Sequence, residues 1–79
     1  MMYNITLIQG DSTTTCKVVE NKYKAKVWMQ NEMQSMKKNV YPNVTTYTIA
    51  GEDTLLLLNR KSNNLLCAWI ITKVECLGE

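Results

Sequence analysis

Along residues 2–9 the apolar Tyr3, Ile5 and Leu7 alternate with the polar Asn4 and Thr6, the period-two signature of a strand buried on one face. Gly10-Asp11-Ser12 predicts a turn. The run over 13–19, β-branched except at Cys16 and Lys17, predicts a second strand that returns antiparallel to the first as a hairpin. From 20 to 39 only Val27 is β-branched, and Lys, Gln, Glu, Met and Ala take over. These are good helix formers, so the spacing predicts a helix here. Asn21 suits its N-cap, Lys37 and Lys38 suit the negative end of the helix dipole, and Pro42 stops continuation. At 3.6 residues per turn Ala25, Trp28, Met29, Met33, Met36 and Val40 form one broad stripe that should pack on a sheet, with Tyr23 and Val27 on the opposite side.

Three further strands are expected over 44–49, 54–59 and 65–76, separated by hairpin-length connections at 50–53 and 60–64. Asn63 and Asn64 tolerate the positive φ that tight turns demand. The order is ββαβββ. The layer solution for that order is an α+β fold, one helix packed across an antiparallel sheet of about five strands.

Alternation fails in the last two strands. One reads Leu55-Leu56-Leu57-Leu58, and the other carries Leu66, Ala68, Ile70 and Val74 on one face but Leu65, Cys67, Trp69 and Ile71 on the other. Strands apolar on both sides normally have cover on both, and a single helix supplies it on one. The small Ala68 would permit close approach of the helix, and the opposite side turns charged at Lys73 and Glu75, so the helix is expected on the Leu66, Ala68, Ile70 side. Leu65, Trp69 and Ile71, with Tyr47 beside them, would then face outward as an interface for a partner protein or a second copy, Trp69 at its centre. The alternative is that the first hairpin folds over this face and closes a small roll. Tyr23 and Val27, with the basic turn at Arg60 and Lys61, form a second candidate surface.

Composition narrows the chemistry. The chain has 79 residues, 46% of them hydrophobic, and fits a single domain over 1–79. At that size a conformational cost of roughly 1.5 kcal/mol per residue leaves few large hydrophobes free for anything but folding. There is no histidine, which excludes imidazole base catalysis, Cys-His nucleophiles and His-containing zinc sites. Among the acids only Glu52 and Asp53 are neighbours, inside an expected turn, where a solvated pair is the better account than a catalytic one. No cofactor or metal motif is present and no enzymatic activity is expected. Cys16, Cys67 and Cys76 are an odd number without CxxC spacing, and no apolar signal segment precedes them, which suits buried thiols in a reducing cytoplasm. Nine positions apart in one expected strand, Cys67 and Cys76 would lie about 30 Å from each other, too far for a bridge. No apolar run approaches the ~20 residues of a membrane span.

Lys22, Lys24, Lys26, Lys37 and Lys38 make the helix basic, yet they point around the cylinder and the net charge is only +2. Nucleic acid therefore ranks behind protein as a partner. The expected function is a small non-catalytic protein-binding module, of the kind that serves a phage or mobile element as an accessory or inhibitor by occupying a host protein. The alternatives are a weakly basic nucleic-acid binder using the helix lysines and the Arg60-Lys61 turn, and a structural subunit of a homo-oligomer.

Overall fold

The structure, a computed structural model, describes residues 2–74. Strands β1 (Met2–Gln9) and β2 (Ser12–Val19) form the expected hairpin, turned at Gly10 with a φ of 59°, which a side chain would strain. Helix α1 (Lys22–Asn39) follows, then β3 (Thr46–Ala50), β4 (Thr54–Asn59) and β5 (Leu65–Val74). Asn63, at φ 60°, supplies the left-handed residue of the β4–β5 turn. The fold is α+β in the expected order.

The helix starts where its chemistry directs. Asn21 is extended and its side-chain oxygen accepts from the Lys24 amide at 2.8 Å, satisfying one of the free first-turn donors. Lys37 and Lys38 occupy the last turn, and the Val40 and Tyr41 amides both donate back to the Met36 carbonyl.

All strands join one antiparallel sheet in the order β2-β1-β5-β4-β3. The first hairpin therefore extends the sheet beside β5 instead of folding over it, so no roll closes. In an antiparallel ladder directly opposed residues share a face, and the register carries the inward positions of β1 across the sheet. Ile5 stands opposite Ile71, Leu7 opposite Trp69, Trp69 opposite Leu55, and Cys67 opposite Leu57. These residues meet Ala25, Met29 and Met33 of the helix in one buried cluster, with Trp28, Met36 and Tyr41 packed against its edge. Val40, expected on the same stripe, is instead the C-cap and about half exposed. There the chain has already left the helix.

Polar contacts fix the two ends of the helix on the sheet. Lys22 Nζ lies 2.8 Å from Asp53 Oδ1 in the β3–β4 turn, and the Asp53 carbonyl accepts from the Ile71 amide at 2.8 Å. This pairing raises the Lys22 ammonium above its ordinary range. Beyond the other end, Gln9 Nε2 donates to Tyr41 Oη at 2.9 Å, tying the post-helix segment to the end of β1. The expectation of a solvated Glu52-Asp53 turn is thus refined, because Asp53 is a helix tether. Cys16 and Cys67 are free thiols, while Cys76 lies outside the described residues.

The helix faces differ enough to be separated by experiment. Met33 is 4% exposed and Val27 43%. Met33→Asp places an unpaired carboxylate in the core and should cost on the order of 4 kcal/mol or more, enough to unfold most of the protein. Val27→Asp should cost less than about 1 kcal/mol. Circular dichroism melts of the two variants check this, and equal damage would contradict the packing of α1.

Candidate functional site

The sheet has two faces and the described residues form one helix. Along β4, Leu55 and Leu57 point into the helix layer and are buried, whereas Leu56 and Leu58 point the other way and remain partly exposed. Leu56 stands opposite Ala68 on β5 and Ile49 on β3, and Ala68 in turn stands opposite Ile8 on β1. With Ile70 and Tyr47 these residues make an apolar field on the outer face of the sheet, and no described element packs over it.

Here the expected orientation of β5 is corrected. Trp69 and Ile71 were expected outward, but they are 0% and 5% exposed and belong to the helix-facing core. Ala68 and Ile70, expected beneath the helix, lie on the outer face. The close approach that Ala68 was expected to provide comes from the helix itself, where Ala25 is fully buried in the cluster that holds Trp69. A small residue on either partner relieves the same crowding. Lys73 pairs with Tyr3 on the helix side near the end of β5, so the charge there does not mark an outer face. Leu65 is half exposed at the start of β5, opposite Leu58, next to an irregularity in the ladder.

Of the residues expected at the interface, Tyr47 does lie on the outer face. Its hydroxyl donates to Asn63 Oδ1 at 3.0 Å, and the Arg60 guanidinium sits 5.5 Å from its ring centroid. The β4–β5 turn thus caps one end of the apolar field.

Charge is absent from the rest of it. Among the described residues, every strand position on this face is aliphatic, aromatic, Thr or Asn. Asn4, Thr6, Thr54 and Thr72 border the centre, and Met2, Val18 and Val74 continue it toward one end. The two strand lysines, Lys17 and Lys73, pair with Ile5 and Tyr3 and so point to the helix side. An exposed sheet face ordinarily carries polar and charged residues at these positions.

The second candidate surface is divided by the fold. Tyr23 and Val27 come together with Val19 and Trp28 in a groove of about 320 Å³ between α1 and β2, rimmed by Lys17 and Lys24. Arg60 and Lys61 are not part of it, since their turn adjoins β3 and Tyr47. Lys24 is engaged by Glu20 one turn away, whose carboxyl it holds below the usual range, and Lys22 is engaged by Asp53. Burial pushes the Cys67 thiol up, partly opposed by a hydrogen bond from Tyr41. Cys16 is also raised by burial, eased by the backbone at Leu7 and reinforced by the negative charge of Glu32. Both shifts favour the protonated thiol. Among the described residues no group of three or more acidic or cysteine side chains could hold a metal ion, and no helix is long and apolar enough to cross a membrane.

No family model, curated protein or solved structure matches the chain.

The corrected orientation of Trp69 is directly testable. Its indole Nε1 is buried with no hydrogen-bond partner among the described residues, a burden of roughly 1–3 kcal/mol for such a donor. Trp69→Ala should open a cavity costing about 3–5 kcal/mol and unfold much of the protein. Trp69→Phe keeps a ring in place and removes the unpaired donor, so its cost should stay below about 2 kcal/mol. Urea titration of both variants reads the difference. A folded Trp69→Ala variant of near wild-type stability would return Trp69 to the surface.

Proposed function

We propose that this protein is a non-catalytic binding module whose working surface is the outer face of its sheet, acting by stoichiometric occupation of another protein surface. The single observation that carries this reading is the uncharged apolar field of Ile8, Ile49, Leu56, Leu58, Ala68 and Ile70 opposite the helix layer. A domain this small needs its hydrophobes for its own core, so leaving Leu56, Leu58 and Ile70 out of the core has a cost in folding and in solubility. Docking offsets that cost by removing the same surface from water.

The nucleic-acid reading is weaker. It relied on the helix lysines, and two of them are engaged with acidic partners. The Arg60 guanidinium stacks on Tyr47 at the opposite end of the sheet from the Lys22–Asp53 contact. These cations do not make one continuous track for a phosphate backbone.

A working face and a core respond differently to polar substitution. Leu57→Ala, on the helix side of β4, should cost about 2–5 kcal/mol. The double variant Leu56→Thr, Ile70→Thr should melt within roughly 4 °C of wild type, because its side chains are already partly in water. Melts at submicromolar concentration, where association contributes little, make the comparison. Unfolding of the double variant would show the outer face to be interior and would remove the basis for this function.

A further inference from the structure

We infer that the protein docked on the outer face is a second copy of this chain, the two sheets stacking face to face across a two-fold axis; this rests on reading that face as the docking surface.

Charge decides first among possible occupants. In an isologous interface each patch meets its own copy, so any charge near the axis opposes a like charge. The outer face has no charged strand position among the described residues, whereas the exposed side of α1 carries Lys24 and Lys26 and the α1–β2 groove is rimmed by Lys17 and Lys24. Arg60, over Tyr47, is a charge at its rim, so the centre of the outer face meets its own copy without opposing like charges, whereas on the helix side Lys17 and Lys26 would oppose their copies.

Hydrogen bonding points the same way. The border of the face is Thr6, Thr54, Thr72 and Asn4. A hydroxyl or carboxamide both donates and accepts, so it can pair with its own symmetry copy, which a lysine or a carboxylate cannot do. The relief is also self-complementary. Ala68, near the middle of the central strand and only 5% exposed, is a small side chain among the larger Ile8, Leu56 and Ile70, a size contrast that lets large residues of one face seat over the small one of another. Two such faces, offset slightly, interdigitate as the inner faces of stacked sheets do at ~10 Å separation.

The area is sufficient. Five strands at ~4.8 Å, with about seven residues each at ~3.3 Å, outline a face of roughly 24 by 23 Å. That is about 550 Å² in projection and more with side-chain relief, so two copies bury over ~1,200 Å², within the range of specific interfaces.

Sedimentation from about 1 to 100 μM, in 0.15 and 1 M NaCl, tests the inference with wild type, Ile70→Lys and Ile49→Lys. Ile49 is 50% exposed in the monomer, so its lysine variant stays folded even where Ile70→Lys does not. The expected result is a wild-type dimer at micromolar concentration that high salt does not dissociate, with folded variants at least tenfold weaker in self-association. A dimer that persists in folded Ile49→Lys, or that salt dissolves, would place self-association on another surface and overturn the inference. A wild type monomeric throughout also overturns it, and binding of an apolar dye then separates the two readings. Dye fluorescence abolished by Ile49→Lys leaves the outer face open to a different protein. No fluorescence removes the docking face as well.

Discussion

One helix against five strands is the constraint from which the rest of the structure follows. A helix is about 10 Å across, and five strands span roughly twice that. The helix can therefore bury only a central band of one face. The chain spends its largest side chains on that band: Trp69 and Ile71 on the central strand, Leu55 and Leu57 on β4 to one side, and Ile5 on β1 to the other. Opposite them the helix offers Ala25, Met29 and Met33. Alanine admits the helix backbone close to the sheet, and the unbranched methionines fill irregular space in the same cluster. Close packing of that band fixes which way every strand faces.

The elements themselves were legible because local chemistry and period agree. Alternation in 2–9, the near absence of β-branched residues over 20–39, the Asn21 cap, and Gly10 and Asn63 in tight turns each specify backbone geometry without reference to distant contacts. The orientation of β5 was not legible in that way. Both faces of β4 and β5 are apolar, so period two gives no inward side, and a small residue such as Ala68 suits helix contact and an uncovered face alike. The clearer cue lies in β1, where Ile5 is buried and Tyr3 and Leu7 pack against the core. It reaches Trp69 and Ile71 only through the β1–β5 pairing, a non-local contact that no turn or spacing announces.

The residues on the uncovered face therefore differ from those expected there. Leu65 and Tyr47 stayed at the surface, Trp69 and Ile71 moved to the core, and Ile8, Ile49, Leu56 and Ile70 took their place. The Tyr23 and Val27 pair gained Val19 and Trp28 as groove neighbours and lost Arg60 and Lys61. That rearrangement follows from β2 lying at the sheet edge beside the helix flank, while the β4–β5 turn lies at the far side of β5.

The distribution of charge is the last consequence of the same constraint. With Lys17 and Lys73 on the helix side, cations lie where the single helix leaves the sheet uncovered and water can reach them. Among the described residues the outer face has no helix to supply cover, yet none of its strand positions is charged either, and Arg60 over Tyr47 marks only its rim. A sheet edge or face left bare normally carries lysine or another charge that discourages pairing with other chains. Its absence here, next to strands that place lysine correctly on their other side, makes the uncharged field a property of this face and not of the composition. The physical cost of that choice falls on the isolated chain, and burying the field against another surface is what would relieve it.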